Sequence, residues 1–545
     1  MIRDRAAARY AGRASSCAWR RAPGPRANVH RARLGAAALA LLEGGANPAL
    51  IYRIYAADRG AAPGRSMRTG VIDFATLWER IRRASRAALE RRGVGRGDTV
   101  LVTLKNRVEF VVAQNAAALV GGAAVTASFH ATTSELEYLA SHARARVAVV
   151  EAERAHDLRR ILGPSGTVVT VTARGAAPHP DARALRMSEL WLEPPPMRRR
   201  GARSMDPAVV VYTSGTTGAP KGAVRKFPRD TLPSALSFIA ETPMSAGDVH
   251  LVLAPLYHST AYAFATMTHL LGGAIVLRTS FEPARFYDDV AAYRVNTTAL
   301  VPTMLHRLLA EDDRRSFPHL RAIFSGGAAL SPALAARARE RFGDVLFNFY
   351  GATETGLVTL ATPEDLRRAP GTIGRAVPGV EVRVLDERGV EAPPGVVGEL
   401  YARSPLLSAG YLRDASATAG ATRDGFMSVG DLARRDDEGR FFLEGRRREM
   451  IISGGVNVYP IEVEHALESH PDVVEAAVIG MPDEEWGERV RAYVVRRDGA
   501  ALDAEGLRAF MKTKVDVAKV PREIVFIEAL PRNPTGKVQK ARLPR

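Results

Sequence analysis

"YTSGTTGAPKG", residues 212–222, follows the valine run of residues 209–211 and has almost nothing to bury. A glycine-rich stretch after a buried strand leaves backbone N–H groups free to converge on one spot, with no side chains to keep a ligand away. Gly215 and Gly218, the hydroxyls of Thr213, Ser214, Thr216 and Thr217, and the ammonium of Lys221 together make a nest for a polyphosphate. The pattern is not that of a Walker loop, because Pro220 stands before Lys221 where glycine is required. Read alone, the same stretch also suits a flexible surface linker.

The valine run is one of a series. Strand-like runs at residues 99–104, 148–151, 167–172, 208–212, 249–253, 274–277, 299–301 and 322–325 are interleaved with helical patterns. Among these are residues 74–92, with Leu77, Ile81, Ala84 and Ala88 at helical spacing, and residues 108–120 and 332–342. The alternation predicts an α/β fold, a large N-terminal domain of parallel sheets covered by helices. "GVGRGD", residues 93–98, precedes a strand instead of following one, so it reads as a turn and not as a dinucleotide site.

After residue 370 the texture changes to short strands and Gly/Pro turns, as in an antiparallel or barrel-like module. Past Arg446 comes a small α+β unit. Its helix is opened by Pro460, its strands lie at residues 474–479, 490–495 and 523–527, and a second helix lies near residues 504–514. The expected organisation is a basic, disordered extension over residues 1–33, an N-terminal domain over 34–447 and a C-terminal domain over 448–545.

At 545 residues the chain exceeds one compact core, and 46% apolar with 25% charged residues is an ordinary globular composition. The net charge of +17 invites a nucleic-acid reading, yet nine arginines against the single acid Asp4 place +8 of it before Leu34. No dense Lys/Arg stripe interleaved with aromatics occurs in the rest, which argues against nucleic acid as partner. Cys17 is the only cysteine, which excludes disulfides, cysteine metal sites and a thiol nucleophile from the body of the protein. It fits a reducing, cytoplasmic compartment. The apolar run at residues 36–42 is far short of an integral membrane span. The Arg-rich, acid-poor start has the look of a mitochondrial transit peptide; a disordered extension, or a translation start set too early, is the preferred reading.

Three further motifs carry chemistry. "YGATETG", residues 350–356, offers an aromatic face, a hydroxyl and a carboxylate, suited to a nucleotide base near a hard cation held by Glu354. Asp431 and Arg446 are each able to bond ribose hydroxyls, and "NPTGKVQK", residues 533–540, sets Lys537 after a tight turn. In this order, with "GGVNVYP" at residues 454–460, these motifs resemble the adenylate-forming superfamily of acyl-CoA synthetases, firefly luciferases and peptide synthetase adenylation domains. The resemblance runs from about Leu34 to the C-terminus.

That resemblance implies a reaction in which a carboxylic acid attacks the α-phosphate of magnesium-bound ATP, giving an acyl-adenylate and pyrophosphate, and a thiol then displaces AMP. It assigns Thr213, Ser214, Gly215, Thr216, Thr217, Gly218 and Lys221 to the β- and γ-phosphates. Gly326, Gly327 and Ala328, with Tyr350 and Gly351, would border adenine; Thr353 would face the α-phosphate and Glu354 the Mg2+. Asp431 and Arg446 would fix ribose, and Lys537 would bridge the acid and the α-phosphate. Ser453, Gly454 and Gly455 would line a pantetheine tunnel once the mobile C-terminal domain had swung about a hinge near Arg448, where relatives more often carry Asp or Lys. His258, in "PLYHS" at residues 255–259, falls at the acid pocket as a gate; a lone histidine there also reads as an ordinary structural residue.

Relatives that activate amino acids usually place an Asp near this point, whereas this chain has Leu256 and Tyr257 and then "TAYAFATM", residues 260–267. The expected substrate is therefore a carboxylic acid with an apolar tail, fatty or aryl, with ATP, Mg2+ and CoA as cofactors. The chain ends eight residues after Lys537, leaving no room for a carrier domain, and lacks a Ser-Lys-Leu ending. An acyl-AMP ligase serving a separate carrier protein, another use of the adenylate, and a noncatalytic acyl or nucleotide sensor remain as alternatives.

Overall fold

The computed structural model describes residues 54–57, 71–72, 74–84, 88–172, 185–190, 208–213, 220–226, 231–533 and 536–544. The basic extension over residues 1–33, Cys17, and the loop residues Ser214, Gly215, Thr216, Thr217 and Gly218 lie outside them. The described residues group into two compact units, one within Met1–Ala299, Phe317–Ala322 and Ser404–Thr418, the other within Leu300–Ser316, Ile323–Arg403 and Ala419–Arg545.

The first unit holds a seven-stranded sheet. Its order is Leu185–Arg186, Thr167–Val171, Val147–Glu151, Thr99–Thr103, Ala123–Thr126, Ala208–Thr213 and Lys221–Lys226. All neighbours are parallel except the last pair. Every residue of Thr99–Thr103 and Val147–Glu151 is buried, as a parallel strand covered on both faces requires. Crossover helices Val108–Leu119, Thr133–Ala143 and Ala155–Leu162 supply that cover. Thr133–Ala143 begins with a capping box, in which Thr132 accepts from the Glu135 N–H while the Glu135 carboxylate accepts from the Thr132 N–H. A second parallel set joins Ile54–Ala57, Ala274–Arg278, Val249–Val252 and Thr297–Leu300.

The second unit begins its sheet with Ala322–Ser325 parallel to Leu346–Ala352 and then turns antiparallel, as the change of texture after residue 370 predicts. Gly356–Ala361, Thr372–Ala376, Phe441–Arg446, Asp431–Arg435, Gly398–Arg403 and Glu381–Leu385 follow in sheet order. In the C-terminal part, helices Pro460–Glu468 and Ala504–Met511 pack Val463, Leu467, Leu507 and Met511 onto Val478, Ala492 and Val494 of a separate five-stranded sheet. Its long hairpin runs Val473–Asp483 and Gly487–Arg496, beyond the sequence expectation, because a tight connection lets pairing continue to Asp483 and Gly487. The pattern over residues 74–92 resolves into helix Phe74–Ala84 and a 3-10 turn, Glu90–Arg92, ended by Gly93 at φ +70°. Among the described residues no helix is long and apolar enough to cross a membrane.

Candidate active site

In the first unit, the strand Ala208–Thr213 returns directly as Lys221–Lys226, with Thr213 and Lys221 as the closing pair around residues 214–219. The glycine-rich stretch thus connects two antiparallel strands at the edge of an otherwise parallel sheet. Its base is braced from the helix Thr133–Ala143. Tyr138 Oη donates to the Pro220 carbonyl at 3.0 Å, and His142, one turn on, places Nδ1 2.7 Å from Tyr212 Oη. Burial raises the pKa of Tyr212 and keeps its hydroxyl protonated. The Lys221 ammonium lies 5.5 Å from the centre of the Tyr411 ring.

His258 occupies the N-cap position of helix Ser259–Leu270, with its ring 4.3 Å from that of Tyr257. Leu256, Tyr257, Ala261 and Ala265 are buried in the core of the first unit, so the apolar residues after "PLYHS" are partly committed to packing. Asn106 holds this segment: its Nδ2 donates to the Ala254 carbonyl at 3.0 Å and its Oδ1 accepts from the Leu256 N–H at 2.7 Å. Nothing in the sequence singles out Asn106, a polar residue just after a strand.

The second unit gathers the other motifs. The sheet register shifts between Tyr350 and Gly351, so "YGATETG" is a bulged hairpin carrying Thr353 and Glu354 at its turn. The bulge needs glycine, since a Cβ on Gly351 would lie 2.1 Å from the Gly356 carbonyl oxygen. Gly326 follows the strand Ala322–Ser325 with its α-carbon against the Phe349 ring, Gly327 adopts φ +81°, and Ala328 continues that loop. Glu354 is buried at 6% exposure.

Asp431 and Arg446 are direct cross-strand partners, with Arg446 Nε 3.1 Å from Asp431 Oδ1. Tyr350 Oη donates to Asp431 Oδ2 at 2.8 Å. Burial, then the adjacent Asp431 carboxylate, pushes the Tyr350 hydroxyl well above its ordinary range. Lys537 stands on a turn in which Asn533 accepts from the Gly536 N–H through its carbonyl and from the Lys537 N–H through Oδ1, each at 2.9 Å. Surrounding protein and then the Arg446 guanidinium lower the Lys537 pKa, opposed by Asp431, Glu449 and Glu354, while the side chain keeps exposed surface. Three of these four charges come from motifs the sequence singles out; Glu449 does not.

Ser453, Gly454 and Gly455 are set apart from this cluster in the C-terminal sheet, at the hairpin of Ile451–Ser453 and Val456–Val458. Gly454 and Gly455 have φ of +58° and +79°, and the Gly454 α-carbon rests on the Trp486 indole.

Two family models match the chain: AMP-binding enzyme over residues 54–412 and AMP-binding enzyme C-terminal domain over residues 462–537. The chain is 37% identical over 339 residues to an indoleacetate–CoA ligase of Aromatoleum aromaticum, covering 61% of this chain and 66% of that enzyme. It is 34% identical over 461 residues to a sulfoacetate–CoA ligase of Cupriavidus necator, covering 83% and 88%. Among solved structures, ATP-bound MatB from Rhodopseudomonas palustris matches with a TM-score of 0.82 at 30% identity, over 93% of this chain and 97% of that one.

Proposed function

The chain belongs to the AMP-binding enzyme family, and from that premise we propose that it joins a carboxylic acid with an apolar tail, fatty or aryl, to CoA at the expense of ATP. In the first step an acid oxygen attacks the α-phosphorus, the bond to the β-phosphate breaks, and pyrophosphate leaves. In the second the CoA thiol attacks the acyl carbon of the adenylate, the bond to AMP breaks, and the thiol proton is released. The observation that supports this reading is that Asp431, bonded to both Arg446 and Tyr350, lies with Arg446 and Glu354 within electrostatic reach of Lys537.

The first step is slow unaided because an anion must approach a polyanion, and fixed positive charge at the transferring phosphoryl is the remedy. Lys537 takes that role. Thr213, Lys221 and the intervening loop hold the β- and γ-phosphates; Asp431 and Arg446 hold ribose; Tyr350, Gly351 and residues 326–328 flank adenine, and Thr353 addresses the α-phosphate. His258 borders the acid, and Ser453 to Gly455 guide the pantetheine arm after rotation near Arg448. Among the described residues no three His, Cys, Asp or Glu side chains gather to cage a metal, while a single buried carboxylate suits magnesium, which brings phosphate and water oxygens with it. Glu354 would hold that ion, which offsets phosphate charge when bound.

Exchange of labelled pyrophosphate into ATP, run over a panel of aliphatic and aryl acids, tests the first step, and acid-dependent AMP release with CoA tests the second. Folded protein that exchanges with no acid offered overturns the reading. Exchange with transfer to a phosphopantetheinyl carrier protein, and none to CoA, replaces the acceptor.

A further inference from the structure

Gly536, the residue before Lys537, is held by two side chains, one from a distant part of the second unit and one four residues upstream. Thr303, in helix Pro302–Leu308, donates its hydroxyl to the Gly536 carbonyl at 3.0 Å across 233 residues of sequence. Arg532 Nη1 donates to Thr303 Oγ1 at 2.8 Å and to the same carbonyl at 2.7 Å, and its Nη2 pairs with the Glu475 carboxylate. The three groups close a triangle. Thr303 both accepts and donates within it, and Glu475, on the C-terminal sheet, fixes the far side of the guanidinium.

The turn needs such support. Gly536 sits at φ +85°, with Val301 and Thr303 3.5 and 3.6 Å from where its Cβ would be. Besides the bonds that Asn533 accepts from the Gly536 and Lys537 N–H groups, short-range bonds restrain the lysine within the turn: the Asn533 N–H donates to the Lys537 carbonyl and the Gln539 N–H to the Pro531 carbonyl. A flexible four-carbon side chain delivers charge to one spot only if its backbone is fixed. The carbonyl one residue before Lys537 is where Thr303 and Arg532 act.

We propose that Thr303 and Arg532 are positioning residues that clamp the Lys537 turn for the adenylation step, so that removing the clamp slows adenylation and spares thioester formation. The proposal rests on the reading that Lys537 acts on the α-phosphate. An arginine suits the clamp because its planar fork reaches Thr303, Gly536 and Glu475 at once, which a lysine, as a point charge, does not.

The test compares Thr303→Val, Thr303→Ser and Arg532→Lys. Thr303→Val keeps shape and loses the hydroxyl. Pyrophosphate exchange at saturating ATP is expected to fall about tenfold in Thr303→Val and Arg532→Lys, the size of one lost bond to a charged group. KM for ATP and CoA-dependent consumption of a supplied acyl-adenylate stay as in the parent protein, and Thr303→Ser restores exchange. Equal loss in both half-reactions, or full exchange in Thr303→Val, overturns the clamp. Amide hydrogen exchange at residues 536–539 needs no substrate. Faster exchange there in Thr303→Val than in Thr303→Ser supports the clamp even if no acid proves to be a substrate, and equal exchange overturns it.

Discussion

Tyr350 Oη donates to Asp431 Oδ2 across 81 residues of sequence, while Arg446 Nε lies 3.1 Å from the other oxygen of the same carboxylate. One acid therefore orients an aromatic face on one hairpin and a guanidinium on another.

Replacing Asp431 by Asn keeps volume and removes the charge that Arg446 and Tyr350 address. Hydrogen bonds to charged groups contribute about 1.5–3 kcal/mol, so KM for ATP is expected to rise roughly tenfold or more with KM for the acid nearly unchanged. Initial rates of pyrophosphate exchange at varied ATP measure this; an unchanged KM for ATP removes Asp431 from nucleotide binding.

Lys537→Ala is expected to lower adenylation by roughly 10²–10³, as loss of one charge-stabilising donor does elsewhere. Conversion of a supplied acyl-adenylate to thioester continues, because that step breaks no bond to pyrophosphate. Pyrophosphate exchange set beside adenylate consumption separates the two, and a variant with parental exchange excludes Lys537 from the chemistry.

The reach of sequence reasoning tracks composition and range. Thr213, Lys221, Tyr350, Asp431, Arg446 and Lys537 stand in or beside short motifs rich in glycine, hydroxyls and charge, and the order of those motifs along the chain makes them visible. The parallel strands are legible from their apolar runs: in Val147–Glu151, buried throughout, four apolar residues are closed by Glu151. Thr303, Asn106 and Glu449 are ordinary residues in ordinary surroundings. Asn106 meets Ala254 and Leu256 148 and 150 positions away, and no local pattern announces such a pairing. The helix that begins at Ala504 ends at Met511, short of the expected residue 514, because the chain turns there.

Glycines divide into those that need their missing side chain and those that do not. A Cβ on Gly326 would lie 2.4 to 2.6 Å from three atoms of the Phe349 ring, itself buried at 4% exposure. Gly326→Ala is expected to cost about 1–3 kcal/mol as overpacking and to weaken ATP binding. Gly420, in helix Ala415–Ala421, has nothing within 4 Å of its would-be Cβ. Gly420→Ala is expected to be neutral or to stabilise by about 0.4–1 kcal/mol. Thermal denaturation of the two variants checks the contrast, and a Gly326→Ala protein as stable as the parent refutes the tight contact.

Glu468 ends the helix Pro460–Glu468, and its Oε1 accepts from the Ala476 N–H at 3.4 Å. Burial pushes it up to about 7 from an ordinary 4.5, aided by Glu464 and Glu475 and opposed by the Ser331 hydroxyl and the Ala476 N–H. Arg532 neutralises Glu475 and Lys540 neutralises Glu464, so the penalty on Glu468 is chiefly desolvation. Between pH 4.5 and about 7 the folded protein keeps a proton that the unfolded chain has released. Stability is therefore lost as pH rises through that window, by on the order of 3 kcal/mol, and is flat above it for this group. Glu468→Gln preserves the acceptor for Ala476 and abolishes the titration. Its melting temperature should match the parent near pH 4.5 and exceed it at pH 8, measured side by side by thermal denaturation. A variant less stable than the parent at pH 8 would mean that the ionised carboxylate is itself stabilising, and that the protonated side chain does not belong to the native state.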